Sequence, residues 1–268
     1  MPVRQLYQHQ RVQGVKVGRF NHGINTQFIV YRMGSTVIDA GPSNQWRHVA
    51  KFLKKEPVKQ LLLTHHHEDH SGNAQRIAKL FSITPKAPKL AQAKLATGYP
   101  TPLLQKIVWG SPRPVHTRNL ADTEFLEDAT KVIPVHTPGH AKDLTCFHVP
   151  SEGYFFSGDL YIAKTIKMLR KDEDLIELIN SLRKVQQLDF TTLFCPHGGI
   201  IQDGKQALQL KLNNILQLCS EVKELAEKGW PIDQIAQYLL GPEDATAKLT
   251  NGNFSKTNLI KQCALMNL

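Results

Sequence analysis

Six consecutive residues, His65-His66-His67-Glu68-Asp69-His70, bring four imidazoles and two carboxylates together directly behind the apolar run Leu61-Leu62-Leu63. Imidazole and carboxylate are the side chains that hold borderline divalent metals. His65 and His67 lie two apart, so on an extended segment leaving a strand they point to one side. A tight turn after them brings Asp69 and His70 round to face a second ion. Three more apolar runs end in residues of the same kind. Val132-Ile133-Pro134-Val135 leads into His136-Thr137-Pro138-Gly139-His140, Tyr154-Phe155-Phe156 into Ser157-Gly158-Asp159, and Thr192-Leu193-Phe194 into Cys195-Pro196-His197-Gly198. Each reads as a strand, a Gly or Pro turn and a metal-type residue, which is how loops at a sheet edge collect ligands from distant positions.

The donors are then His65, His67, Asp69, His70, His140, Asp159 and His197. Four protein ligands close a structural zinc site, whereas catalytic sites keep positions open. Seven donors with one shared carboxylate therefore suit two catalytic ions better than one structural ion. Two divalent ions would lower the pKa of a water held between them from about 15.7 towards about 7, supplying a bridging hydroxide that attacks an acyl carbon or a phosphorus. Asp69 is placed both to bind metal and to accept a hydrogen bond from that water. Zinc is the expected ion, with iron or manganese as alternatives, because this donor set selects weakly among them. His66 and Glu68 should point away from His65 and His67, and His136, ahead of the turn, reads as structural. Asp143, three residues after His140, is expected to fix the tautomer of a ligand imidazole or to cap the next strand. Of the four scattered cysteines only Cys195 lies near a ligand, and it reads as a core residue.

These residues need elements to position them. Phe28-Ile29-Val30-Tyr31 and Thr36-Val37-Ile38, around the turn Met33-Gly34-Ser35, form a hairpin pattern within residues 15 to 41. A helix is predicted from Asn44 to Lys55, with Trp46, Val49, Phe52 and Leu53 on its core face. The strand Val58 to Leu63 delivers the histidine cluster, and Ser71 to Leu80 reads as a helix. Asp172-Glu173-Asp174 opens a helix running to Gln187, its carboxylates favoured by the helix dipole. From about Asp203 the pattern turns helical: Lys205 to Lys228, Ile232 to Leu240 and Ser255 to Leu265, broken by Gly229, Gly241-Pro242 and Asn251-Gly252-Asn253. The mixture predicts an α/β (α+β) fold over residues 1–203 and a helical extension over 204–268, suited to cap the site or to form a homodimer. In the extension Phe254, Leu259 and Ile260 share a helix face and should pack on another surface.

The order H-x-H-x-D-H, T-P-G-H, S-G-D and P-H-G, with Ile38-Asp39-Ala40-Gly41 ahead of them, resembles the metallo-β-lactamase superfamily in its glyoxalase II and lactamase-like-protein branch. The motifs span residues 38 to 199. The resemblance implies a four-layer αββα sandwich in which His65, His67 and His140 hold a first metal and Asp69, His70 and His197 a second. Asp159 would bridge the two ions. Asp39 matches a structural acid beside the site. True β-lactamases commonly carry cysteine where this chain has Asp159, which argues against β-lactam hydrolysis, and a family name is in any case not an activity.

No run approaches the roughly 18 apolar residues of a membrane helix, and the opening Met1-Pro2-Val3-Arg4-Gln5 resembles no signal peptide, so a cytoplasmic protein with no membrane partner is expected. The formal charge of +10 is concentrated. Ser71 to Ala121 holds no Asp or Glu but contains Arg76, Lys79, Lys86, Lys89, Lys94, Lys106, Arg113 and Arg118. Lys164 and Lys167 follow Asp159 on its own loop and are candidate substrate-binding residues. A cleft of one charge sign draws in the opposite charge. The first functional reading is thus a hydrolase of an anionic ester or thioester, similar to hydroxyacylglutathione hydrolase. The second is a phosphodiesterase or endoribonuclease similar to the lactamase-like ribonucleases, which share a D-L-x-x-x-x-x-S-L helix, here Asp174-Leu175 through Ser181-Leu182. Net positive charge favours RNA, while an aromatic content of 7% without basic interleaving disfavours a single-strand platform. A metal-binding signalling protein with little turnover is the third. If electrostatic guidance operates, activity on an anionic substrate should fall with ionic strength as the Debye length shrinks from about 30 Å at 0.01 M to about 8 Å at 0.15 M. A flat salt profile would leave these cations as solvated surface.

Overall fold

The computed structural model of the chain describes residues 3–21 and 26–266. Residues 22–25, inside the segment read as strand-and-turn from 15 to 41, and the opening Met1-Pro2 lie outside the described residues. The chain divides into two compact units. One comprises residues up to 136 together with 143–162 and 189–204, and the other 137–142, 163–188 and 205–268.

The first unit is built on two sheets. One holds β1 (Val3–His9), β2 (Val12–Gly18), β3 (Gln27–Met33), β4 (Thr36–Ile38), β5 (Gln60–Leu62), β6 (Lys86–Ala87) and β7 (Arg118–Asn119), in that order. β1 to β4 run antiparallel and β4 to β7 parallel. The other sheet has the order β14-β13-β11-β10-β9-β8, made of β8 (Glu124–Phe125), β9 (Lys131–His136), β10 (Thr145–Val149), β11 (Tyr154–Phe156), β13 (Thr192–Cys195) and β14 (Gly199–Ile201). Within it only β11 and β13 pair in parallel.

The apolar run of β3 explains the layering. Successive side chains of a strand point to opposite faces, and every residue of β3 is buried. Ile29, Tyr31 and Met33 join Val12, Ile38 and Leu62 against Phe147, Val149, Tyr154, Phe156 and Phe194 of the second sheet. Phe28 and Val30 face the other way, with Val15, Val17 and Val37, into a core shared with Val49, Phe52 and Leu53 of α1 (Trp46–Leu53) and Ala74 and Ile77 of α3 (Ala74–Phe81). A strand buried on both faces reads as a continuous hydrophobic run, and this one does. The hairpin expected around Gly34 forms with Tyr31 opposite Ile38. The helices begin slightly later than expected, because a short 3-10 turn over Ser43–Gln45 precedes α1 and a one-turn helix α2 (Glu68–Ser71) precedes α3.

Four strands of the first unit run directly towards site residues. β4 runs into Asp39, β5 into His65, β11 into Asp159 and β13 into His197. Because β4 and β5 are parallel neighbours, with Ile38 opposite Leu62, their ends deliver Asp39 and the histidine cluster side by side. β11 and β13, parallel with Phe156 opposite Phe194, do the same for Asp159 and His197.

The second unit is helical. It holds α6 (Leu175–Gln186), most of α7 (Gly204–Glu227), α8 (Ile232–Leu240), α9 (Ala245–Leu249) and α10 (Lys256–Ala264), with a two-stranded sheet of β12 (Leu169–Arg170) and β15 (Phe254–Ser255). The helices expected from residue 205 onward are present and group with 163–188. Only Asp174 of the acidic triplet caps α6, accepting from the Glu177 amide at 3.0 Å. Asp172 instead pairs with Arg170 at 2.7 Å and Glu173 with His140 at 2.6 Å, because residues 172 and 173 precede the helical backbone. Gly139 lies at φ 134° with its α-carbon against α6, where a β-carbon would stand 2.5 Å from Leu178 backbone atoms. Leu259, Ile260 and Cys263 of α10 are fully buried, α10 packs on α8, and Phe254 carries the Arg170 guanidinium 5.5 Å from its ring centre. Truncating such a buried side chain leaves a cavity, so Ile260→Ala should cost about 2–5 kcal/mol of stability. Chemical denaturation reads this directly, and a loss within error would show that the C-terminal helix is peripheral to the fold.

Candidate metal centre

The β5 strand ends at Leu62, Leu63 and Thr64 follow it, and His65 to His70 then turn back through α2. Gly72 permits that return, since a β-carbon there would lie 2.4 Å from the Glu68 carbonyl and 2.6 Å from the Ser43 amide. Of the expected donors, His65, His67, Asp69, His70, Asp159 and His197 all belong to the first unit and all are buried. One donor atom each from His65, His67 and Asp159 lies within 4.8 Å of the others, and the same holds for Asp69, His70 and His197. His65 Nε2 and His67 Nδ1 approach to 2.9 Å. Asp159 reaches both groups, for its Oδ1 is 3.1 Å from His70 Nε2 and 3.3 Å from His197 Nε2. Asp69 Oδ2 stands 3.4 Å from His197 Nε2. His140 lies on the 137–142 segment of the second unit, where its Nδ1 meets Glu173.

The far nitrogens of the imidazoles are held. His197 Nδ1 donates to the Gln27 carbonyl at 2.8 Å, and since a carbonyl only accepts, its Nε2 carries a lone pair in the neutral ring. His70 Nδ1 lies 2.7 Å from Asp39 Oδ2. Thr64 Oγ1 sits 3.0 Å from both His65 Nδ1 and His70 Nδ1 and 2.9 Å from Asp39 Oδ2. Asp39 also takes the Thr64 amide at 2.8 Å, and adopts φ 58° to do so, a left-handed backbone that a non-glycine residue keeps only where its surroundings enforce it. Partners on the far nitrogen orient a metal-binding imidazole. The Phe28 ring stands edge-on to His70 at 4.7 Å and to His197 at 5.5 Å, and Trp109 lies 6.1 Å from His197, so the second group has an apolar wall.

Charge decides what these residues suit. Asp39, Asp69 and Asp159 are buried together among imidazoles. Burial alone would disfavour a charged His70, yet Asp159, Asp39 and Asp69 outweigh it and hold His70 well above the usual histidine range. His197 is likewise raised, burial being overcome by Asp159 and Asp69. Buried carboxylates require a compensating cation. Protonation of His70 and His197, which these carboxylates favour, would supply part of that charge, and divalent cations held by the same nitrogens and oxygens fit it better. The donor set therefore fits metal.

The Asp143 carboxylate is taken by the His66 amide at 2.8 Å and the His66 ring at 2.9 Å. Burial works against the Asp143 charge, but the His66 donors prevail and keep its carboxyl below the usual range. His66 is accordingly buried inside the loop. His136 ends β9 exposed. Cys195 is a core residue whose Sγ donates to the Tyr161 carbonyl at 2.9 Å and receives the Gly198 amide at 3.0 Å. Lys164 and Lys167 are exposed in the second unit, Lys167 lining a groove along α7 with Asn214, Gln217 and Leu218. Thr64, Glu173 and the Gln27 carbonyl escape a reading by motif. Thr64 adjoins the cluster, whereas Glu173 and Gln27 are far from their partners in sequence and the latter acts through its backbone.

With fold and site in view, the chain's kinship is plain. The sequence profile of the metallo-beta-lactamase superfamily matches residues 21–197, and the chain belongs to that superfamily. Among curated proteins it is 29% identical to an atrochrysone carboxyl ACP thioesterase of Aspergillus fumigatus over 209 residues, 76% of this chain and 60% of the relative. It is 26% identical to the beta-lactamase-like protein 2 homolog of Drosophila melanogaster over 72% of this chain and 64% of the relative. The chain thus spans about three fifths of the length of these relatives. Among solved structures, a beta-lactamase domain protein from Burkholderia ambifaria superposes with a TM-score of 0.73 at 16% identity, over 97% of this chain and 86% of that one. A metallo-beta-lactamase family protein from Thermus thermophilus gives 0.67 at 18% identity, over 96% and 92%. These likenesses establish the α/β fold of the family. No helix among the described residues is long and apolar enough to cross a membrane.

The raised histidines give a pH signature. A group whose folded pKa is raised stabilises the fold below its unfolded value, about 6.5, and loses that contribution as pH rises through the folded value. Metal-free protein should accordingly melt at lower temperature as pH is raised from about 6.5, and saturating zinc, taking the place of the protons, should abolish that slope. Thermal melts with chelator and with zinc test it, and a slope indifferent to zinc would assign the dependence to groups outside the centre.

Proposed function

We propose that this protein is a metal-dependent hydrolase of an anionic thioester or ester, working with two divalent ions, zinc in the first instance and iron or manganese as substitutes. His65, His67 and Asp159 would hold one ion, with His140 of the T-P-G-H motif as a further imidazole, and Asp69, His70 and His197 the other. The observation that carries this reading is Asp159, whose carboxylate belongs with the first group of donors and stands 3.1 and 3.3 Å from the two imidazoles of the second. Ions bound there supply Lewis acidity to a developing oxyanion and acidify a water enough to serve as nucleophile at neutral pH.

The chain's own residues define the rest of the chemistry. Asp39, Thr64 and the Gln27 carbonyl keep the far nitrogens of His70 and His197 engaged, so that the near nitrogens face inward. The Asp69 carboxylate, buried beside His197, is the group that accepts a hydrogen bond from the attacking water and orients it. Phe28 and Trp109 keep bulk water from His70 and His197, which strengthens the electrostatics within.

A thioester is favoured because the relative at 29% identity is named a thioesterase of acyl carrier protein. Part of the positive charge of the acid-free stretch is engaged within the chain. Lys86 is paired with the buried Glu124, and Arg76 donates to the Ser43 carbonyl at 2.7 Å. Lys164 and Lys167 remain the proposed contacts for the substrate's negative charge.

Metal analysis combined with a panel of thioesters, lactones, bis-aryl phosphodiesters and single-stranded RNA tests the proposal. About two ions per chain and turnover of thioesters are expected, and Asp159→Ala should abolish activity together with binding of the second ion. Turnover confined to RNA would transfer the assignment to a nuclease, and two bound ions with no turnover at all to a binding protein. Lys164→Ala with Lys167→Ala should raise KM more than it lowers kcat, as expected for lost uniform binding. An unchanged KM would remove those lysines from the substrate site.

A further inference from the structure

His66 stands between two proposed ligands, and every one of its polar atoms is engaged within the first unit. Its amide donates to Asp143 Oδ2 at 2.8 Å. Its carbonyl accepts from Tyr99 Oη at 2.6 Å and from Ser71 Oγ at 2.7 Å. Ring Nδ1 is 2.9 Å from both Asp143 oxygens, and ring Nε2 is 3.0 Å from Lys94 Nζ. A carboxylate only accepts and an ammonium only donates, so this pair of partners sets the ring as the Nδ1–H tautomer with its Nε2 lone pair spent on Lys94. The same partners explain why one histidine of the cluster stands outside both donor groups.

The amide of residue 66 lies in the peptide plane joining 65 to 66, and its carbonyl lies in the plane joining 66 to 67. Holding both groups fixes both planes, and with them the directions in which His65 and His67 leave the backbone. The holding residues come from separate elements. Asp143 just precedes β10, whose first residue also donates its amide to the Thr64 carbonyl at 2.9 Å, while Lys94 lies on α4 (Lys89–Thr97) and Tyr99 just beyond it. Lys94 thereby has a role other than drawing in substrate, although it belongs to the acid-free stretch.

We propose that Asp143, acting through His66 with Lys94 and Tyr99, is a positioning residue that pre-sets His65 and His67 to receive their metal. The inference rests on the reading of His65 and His67 as ligands. Asp143→Asn keeps the shape but turns one acceptor into a donor facing the His66 N–H. Zinc titration of the chelator-stripped protein against a competing chromophoric chelator should show one of the two binding steps weakened about 10–100-fold, the loss typical of an outer partner of a metal ligand. The other step should be unchanged, as should the melting temperature of the metal-free protein beyond a few degrees. His66→Ala should weaken the same step, and adding Asp143→Asn to it should add little, since coupled residues are non-additive. At saturating zinc, kcat should fall with KM unchanged.

Two wild-type zinc affinities in Asp143→Asn would overturn the proposal, and so would losses in the two variants that simply add. Should Asp143→Asn fail to fold, Tyr99→Phe removes only the hydroxyl on the His66 carbonyl and should weaken the same step by a smaller factor, no weakening overturning the proposal. Wild-type protein that binds no zinc would overturn the metal centre itself, a failure distinguishable from that of the clamp.

Discussion

Asp39, Asp69 and Asp159 are buried at one end of the first unit's sheets, and the cost of holding three carboxylates out of water shapes what surrounds them. Each is answered by imidazole. Asp39 meets His70 at 2.7 Å, Asp159 meets His70 and His197, and Asp69 meets His197. Neutral imidazoles do not balance that charge, and the neighbouring carboxylates raise His70 well above the usual histidine range and His197 above it. A centre of this composition is complete only with added positive charge. The Phe28 and Trp109 rings beside it make the requirement stricter, because an apolar wall lowers the local dielectric.

The sheets exist in a form that brings those carboxylates together. Two parallel pairs, β4 with β5 and β11 with β13, each deliver two site segments from adjacent strand ends. Antiparallel neighbours would send alternate loops to opposite ends of the sheet. The cores on the two faces of β3 supply the rigidity, with large aromatics between the sheets, Phe156 stacked on Phe194 and Tyr154 edge-on to it. Ligands on short loops at the ends of such strands are held more closely than their loop character alone would allow.

Membership of the metallo-beta-lactamase superfamily sets the fold and the type of centre, and leaves the reaction to be argued from the site. The relatives carry names as different as a thioesterase and a lactamase-like protein, and the chain covers about three fifths of their length. What separates such activities lies in the substrate pocket and its charges. Here the acid-free stretch proves heterogeneous: Lys86 is paired with Glu124, Arg76 is held by a carbonyl and lies over Trp46, and Lys94 is bonded to His66.

The candidate donors are read from residue types and order, because metal-ligating chemistry confines the choice to His, Asp, Glu and Cys, and each candidate follows an apolar strand and a turn. The hairpin about Gly34 and the core face of α1 were legible for the same reason, as short-range periodicity reports which side of an element is buried. Partnerships across the chain were not. Asp143 lies three residues from His140 in sequence yet bonds His66, 77 residues away, because the segment before β10 runs beside the histidine loop. The acidic triplet at 172–174 divides among a cap, an arginine and His140, since only its last residue borders helical backbone. The Gln27 carbonyl that orients His197 is main chain and carries no residue-type signal at all. The sequence by itself thus determined which residues are candidate donors and which apolar runs lead into them, as these depend on side-chain chemistry and local alternation. The tertiary structure alone decided which neighbour holds each imidazole, as that depends on how distant segments are brought side by side when the strands pair.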